Sequence, residues 1–262
     1  MKKLVLTALA LLIAAPAFAQ ESAMSEKLGD AYTKASPQDK LVQIAVAIAD
    51  KKMDHKDRKA YNLAIDEIYV AEVNKGKSSK EKLELLGAMR KAVDTKTKAL
   101  NKERRAVNKK AGYLRFMEPE TALQTALAMS YVLDTAGPSP TIEALSCLKL
   151  VRDNTSWFGN GDLVHAYVAD ALARDEGYSK ADHAGKLAII SKLADQKKAL
   201  GSQEQKYLDK AVLVDWINTQ LKAGKSIGDV LLGVKDLKKK GLICWFTSNW
   251  ADATLTRLGN IR

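Results

Sequence analysis

The sequence predicts an all-α protein: an α-solenoid-like stack of about five helix-turn-helix pairs with a period near 41 residues. An irregular compact helical bundle is the alternative. Two observations lead there. Apolar residues recur at spacings of three and four, and no stretch sustains the alternation of a half-buried strand. Helix-start signals stand at positions 36, 78, 118, 161 and 202, at intervals of 42, 40, 43 and 41.

Met1-Lys2-Lys3, the apolar run Leu4–Ala15, Pro16 and Ala17-Phe18-Ala19 form the three parts of a secretory signal peptide, 1–19. Its apolar run falls short of the ~20 residues a spanning helix needs, and no later segment reaches that length without charge. The remainder, 20–262, reads as one helical domain: a capping helix in 20–35, helical hairpins over 36–241 and a C-terminal cap in 242–262.

Ser36-Pro37 opens the first pair, 37–52 with 55–75, placing a hydroxyl at N-cap and proline at N1. Leu41, Ile44, Ala45 and Ile48 share one face, as do Tyr61, Ala64, Ile65, Ile68, Tyr69 and Val73. Ser78-Ser79-Lys80-Glu81 fits a capping box and opens 79–95, paired with 98–111. Glu118-Pro119 opens 119–136, paired with 141–153. Gly161-Asp162 opens 162–174, paired with 179–199. Ser202-Gln203-Glu204-Gln205 reads as another capping box before 203–223, paired with 226–240. A helix over 249–258 closes the chain. Gly76, Gly112, Gly137, Gly224 and Gly241 supply stops.

This layout resembles that of tetratricopeptide and HEAT-like repeat proteins. The Trp…Leu-Gly…Tyr…Ala…Phe…Pro pattern of the first group is missing, and no consensus of the second is present.

Composition narrows the function classes. With 47% apolar residues the chain can build a core, so disorder is excluded, and five prolines and 15 glycines exclude collagen-like classes. Two cysteines cannot make a disulfide framework or a four-cysteine zinc site. An exported protein with two cysteines suggests one bridge, Cys147–Cys244. Stacked pairs would hold these thiols roughly 20 Å apart, since packed helices lie ~8–10 Å apart. The Cα limit for a disulfide is near ~7 Å, so the bridge and an extended stack compete. The net charge is +11, and the excess is uneven: residues 20–118 carry 22 basic and 15 acidic groups, residues 119–262 carry 18 and 16.

Three constellations stand out. Asn154–Asp162 reads as a Gly- and Asn-rich loop bearing Trp157 and Phe158, with Asn160 and Asp162 beside them. Trp245, Phe246 and Trp250 form a second aromatic group near the C-terminus. Aromatics on supported loops anchor partners or sugar rings, although both groups could instead cover the stack's own ends. Third, residues 96–115 hold Lys96, Lys98, Lys102, Arg104, Arg105, Lys109, Lys110 and Arg115 against Glu103 alone. Such a patch suits an acidic protein, lipid headgroups or another polyanion, or is simply a solvated face, and its apolar face (Ala99, Leu100, Val107, Ala111) is too thin for an inserting amphipathic helix.

Signals for chemistry are thin. Asp50, Asp54, His55 and Asp57 lack the calcium-loop pattern and read as helix capping, so no metal and no cofactor is expected. His165 and Asp162 share a helical face, and Glu118, Glu120 and Glu143 are available, but neither H-E-x-x-H nor G-x-S-x-G is present. The expectation is therefore a non-catalytic periplasmic protein, with secretion as the alternative location. It would bind an envelope protein, acidic partners being favoured by the basic half. Binding of peptidoglycan or another polyanion is the runner-up, and a wall hydrolase follows. Export argues against nucleic-acid partners and against ATP or NAD chemistry.

Overall fold

The computed structural model describes residues 24–50, 58–195 and 200–261. The signal peptide expected over 1–19, and Asp54, His55 and Asp57, lie outside the described residues. Among those described, every regular element is a helix and no strand occurs. The described residues divide into two compact units, one within 1–131 and 153–160, the other within 132–152 and 161–262.

In the first unit, α1 (Asp30–Thr33) packs on α2 (Pro37–Ala49), and α2 packs on both α3 (Arg58–Val73) and α4 (Ser79–Val107), which also pack on each other. The caps form as the sequence requires. The Asp39 N–H donates to Ser36 Oγ over 3.2 Å. Ser78 and Glu81 complete a reciprocal capping box. Leu41, Ile44, Tyr69, Leu83, Leu86 and Val93 make the core.

Helix α4 departs from expectation. One 29-residue helix replaces the expected pair 79–95 and 98–111. The apolar stripe Leu83, Leu86, Met89, Val93 does not stop but continues through buried Thr97 and Asn101. The Thr95 hydroxyl, which could have broken the helix, donates instead to the Lys91 carbonyl over 2.8 Å.

From α4 the chain returns as a strap over 108–120. Asn101 clamps it, donating Nδ2–H to the Leu114 carbonyl over 2.9 Å and accepting the Leu114 N–H over 2.8 Å. The buried Tyr69 hydroxyl donates to the Met117 carbonyl over 2.8 Å. Burial pushes that phenol above its ordinary pKa. Arg90 pairs with Glu118 at 2.8 Å. The Glu120 N–H donates to Asp66 over 2.7 Å, whose carboxyl burial pushes up to about 6. The strap ends at α5 (Thr121–Ala136), slightly later than the start expected at 119.

A 3-10 turn, Glu143–Cys147, runs into α6 (Leu148–Asn154). The aromatic segment, expected as a loop, is helical instead, for α7 spans Trp157–Arg174. The helix begins well ahead of the expected cap at Gly161 because Ser156 opens it, its hydroxyl accepting the Gly159 N–H over 3.2 Å. Gly159 serves close approach: a Cβ there would stand 2.7 Å from the Gln124 Cβ. Gln124 Oε1 accepts the Ser156 N–H over 2.7 Å.

In the second unit the expected helix 179–199 is two elements, α8 (Glu176–Lys180) and α9 (His183–Asp195). Asp175 caps the first through the Tyr178 N–H at 2.6 Å, and Asp182 accepts the Gly185 N–H at 2.7 Å in the second. α9 packs on α10 (Ser202–Lys222). α10 packs on α11 (Ile227–Lys239) and α12 (Trp245–Ile261), and these two pack together. Gly201, and not Ser202 as expected from the sequence, is the N-cap of α10. Glu204 is buried and turns to Arg152, 3.8 Å away. The closing helix, expected over 249–258, takes in Trp245 and Phe246 at its start.

The expected Cys147–Cys244 bridge is not formed, and both thiols are free. Each has its own surroundings. Cys147 is buried at the end of the 3-10 turn, and burial pushes its thiol up. Cys244 Sγ lies 3.2 Å from the Thr247 hydroxyl.

Candidate partner-binding face

The start of α12 reverses the usual division between core and surface. Ile243, Thr247 and Ser248 are buried, whereas Trp245 is 59% exposed and Phe246 49% exposed. Ordinary helix burial hides rings and shows hydroxyls, so exposed large apolar groups beside buried hydroxyls are the informative exception. A polar clamp sets this register. Asp209 of α10 is fully buried, and its Oδ2 accepts the Cys244 N–H over 2.9 Å. That bond satisfies one of the orphan donors at the helix start and places a carboxyl at its positive end. Burial pushes the Asp209 carboxyl up to about 6, against the Cys244 N–H bond that holds it down. With Cys244 tied down and Thr247 turned inward, Trp245 and Phe246 face outward.

The exposed rings form an organised surface. Trp245 and Phe246 meet edge to face, their centroids 5.1 Å apart and their planes at 80°. Such pairs contribute about 0.5–1.5 kcal/mol beyond area burial. Lys206 holds its ammonium 6.0 Å from the Phe246 centroid, and Lys210 sits 4.6 Å from that of Trp250. Both lysines lie on α10, one turn apart. Tyr207, also on α10 and 56% exposed, meets the His165 ring of α7 at 5.5 Å and 78°. Flat rings on two packed helices need little ordering on contact, and the lysines give the face a positive rim.

The other sequence candidates fall elsewhere. The side chains of Trp157 and Phe158 lie outside the described residues. Asn160 is buried and not displayed, and it donates to the Thr155 hydroxyl and to the Ser156 carbonyl, the latter at 2.8 Å. Asp162 is exposed on α7. Asn160 belongs to the first unit, and Asp162, Trp245, Phe246 and Trp250 to the second.

The basic patch divides into two groups. Lys96 pairs with Asp39 at 2.7 Å, Lys98 with Asp94 at 2.6 Å, and Arg104 with Asp50. Lys102, Lys109, Lys110 and Arg115 form no ion pair among the described residues, and Arg105 lies 5.4 Å over the Tyr113 ring. Among the carboxylates, Glu118 is held by Arg90. Glu143 is held below its usual range by its own backbone N–H and the Thr141 hydroxyl.

Sequence reasoning missed Lys206, Tyr207, Lys210 and Asp209. The i, i+4 spacing put Lys206 and Lys210 on one helical strip, but nothing in α10 alone indicated that α12 would lay its rings against it.

Comparison with known proteins finds no matching family model, no matching curated sequence and no matching solved structure.

Proposed function

We propose that this chain is an exported, non-catalytic helical protein that holds a partner protein of the cell envelope on the face formed by Trp245, Phe246 and Trp250. The N-terminal segment 1–19 directs export to the periplasm. Helical hairpins in each unit, packed on their chain neighbours, serve as a repeat-like scaffold. The carrying observation is the inverted start of α12, where Thr247 and Ser248 are buried and Trp245 and Phe246 are displayed. Exposed, pre-ordered aromatics are the side chains that dominate binding energy at protein interfaces. Lys206 and Lys210 beside them favour an acidic partner and speed its encounter.

The test is affinity capture from envelope extract with wild type and Trp245→Ala/Phe246→Ala. Loss of two central aromatic anchors costs at least about 2 kcal/mol, roughly thirtyfold in affinity. A discrete protein held by wild type and lost from the double variant is the expected result. Purified wall sacculi provide the competing measurement. Sedimentation with sacculi that depends on the same two residues would make the ligand a glycan, and turnover of sacculi that depends on His165 and Asp162 would make the protein a hydrolase.

A further inference from the structure

We propose that the basic turn closing α4 is a second docking surface, and that it seats the first unit on an anionic lipid bilayer. This surface is separate from the aromatic face and does not depend on the reading given to it.

Part of the basic run is already paired with carboxylates. Lys96, Lys98 and Arg104 are engaged by Asp39, Asp94 and Asp50. Those pairs, two of which tie α4 to α2, are scaffold. What remains is Lys102 and Arg105 on successive turns of α4, Lys109 and Lys110 just past its end, and Arg115 on the strap. All five are exposed, with Glu103 the acid among them.

Charge alone would suit any polyanion. The apolar groups decide between them. Val107, the last residue of α4, is 91% exposed, and Tyr113 is 59% exposed, its ring under Arg105. A soluble polyanion has no use for a bare valine. A bilayer does: the aliphatic tip enters the headgroup–acyl boundary, the phenol rests at headgroup level and the long basic side chains reach the lipid phosphates.

The surface is also held in shape. Asn108 closes the turn, accepting the Lys110 N–H at its side-chain oxygen over 3.0 Å and the Ala111 N–H at its carbonyl over 2.9 Å. Gly112 then passes so close to the end of α2 that a Cβ would stand 3.2 Å from the Ala49 carbonyl. Leu114 is buried in the Asn101 clamp. Val107 and Tyr113 are therefore presented from a fixed turn, pinned on both sides.

The test is co-sedimentation of the full chain with vesicles of phosphatidylcholine alone and of phosphatidylcholine with one quarter phosphatidylglycerol. The apolar run Leu4–Ala15 and the lysines before it are the same in every variant, so the change between variants reads the basic turn. Each basic group near an anionic surface is worth about fivefold in partition. Lys102→Gln/Arg105→Gln/Lys109→Gln/Lys110→Gln should remove most of the preference for anionic vesicles. Val107→Ser should weaken anionic binding about fivefold with charge unchanged, and Trp245→Ala/Phe246→Ala should leave the preference intact. The proposal is overturned if the quadruple variant keeps the preference, or if the aromatic variant abolishes it. It is equally overturned if Val107→Ser has no effect while soluble polyphosphate displaces the protein, which would make the turn a simple polyanion site.

Discussion

Asp209 carries two opposed demands. It must accept the Cys244 N–H to set the start of α12, yet it is fully buried. Its folded pKa of about 6 stands above the ordinary value of 3.8. Between about pH 4 and 6 the folded state therefore binds more protons than the unfolded chain, and stability falls as pH rises through that window. Each pKa unit corresponds to ~1.4 kcal/mol, so Asp209 should account for about 1–3 kcal/mol lost between about pH 4 and 7. Urea unfolding of Asp209→Asn, which keeps the acceptor, should show that part of the slope removed. An unchanged slope would mean that the carboxyl titrates normally. Asn101 is the uncharged counterpart. Asn101→Ala leaves the Leu114 N–H and C=O without partners, and the expected loss is about 2–4 kcal/mol in urea unfolding.

At the scale of elements, buried polar residues decided what helix signals alone could not. The boundary expected between 95 and 98 falls inside α4, at residues whose hydroxyls and amides can compete with helix bonds. The side chains of Thr95 and Asn101 are instead absorbed, one by the Lys91 carbonyl and the other by the strap. At α7 the Gly- and Asn-rich segment expected as a loop is helical, and Gly159 within it is a packing residue against Gln124. Gly233 of α11 tests this reading. Alanine has the higher helix propensity by up to about 1 kcal/mol. The Cβ it adds would stand 2.6 Å from the Trp216 ring of α10. Gly233→Ala should therefore lower the melting temperature, and a rise would show that Trp216 yields freely.

For the whole molecule, the two free thiols matter most. Titration in denaturant without reductant should find two thiols per chain, because Cys147 is buried and Cys244 is engaged with Thr247. A count of zero on a chain that runs as a monomer without reductant would show that the two thiols are bridged. Trp245→Ala/Phe246→Ala should lower stability by about 1–2 kcal/mol in urea unfolding, the loss of one ring pair and of partial burial, and should leave the cooperative transition intact. That result would separate a binding defect from a folding defect.

Local patterning was enough to read the helical class, the caps at Ser36 and Ser78 and most of the apolar stripes, because those are properties of neighbouring residues along one helix. It also singled out Trp245, Phe246 and the basic run. It could not tell which basic residues were free, since Asp39 and Asp50 meet Lys96 and Arg104 only after α2 packs on α4. Nor could it show which way the α12 aromatics face. That choice belongs to Asp209, 35 residues earlier in the chain than Cys244, and a hydrogen bond between distant residues exists only once the helices carrying them are packed.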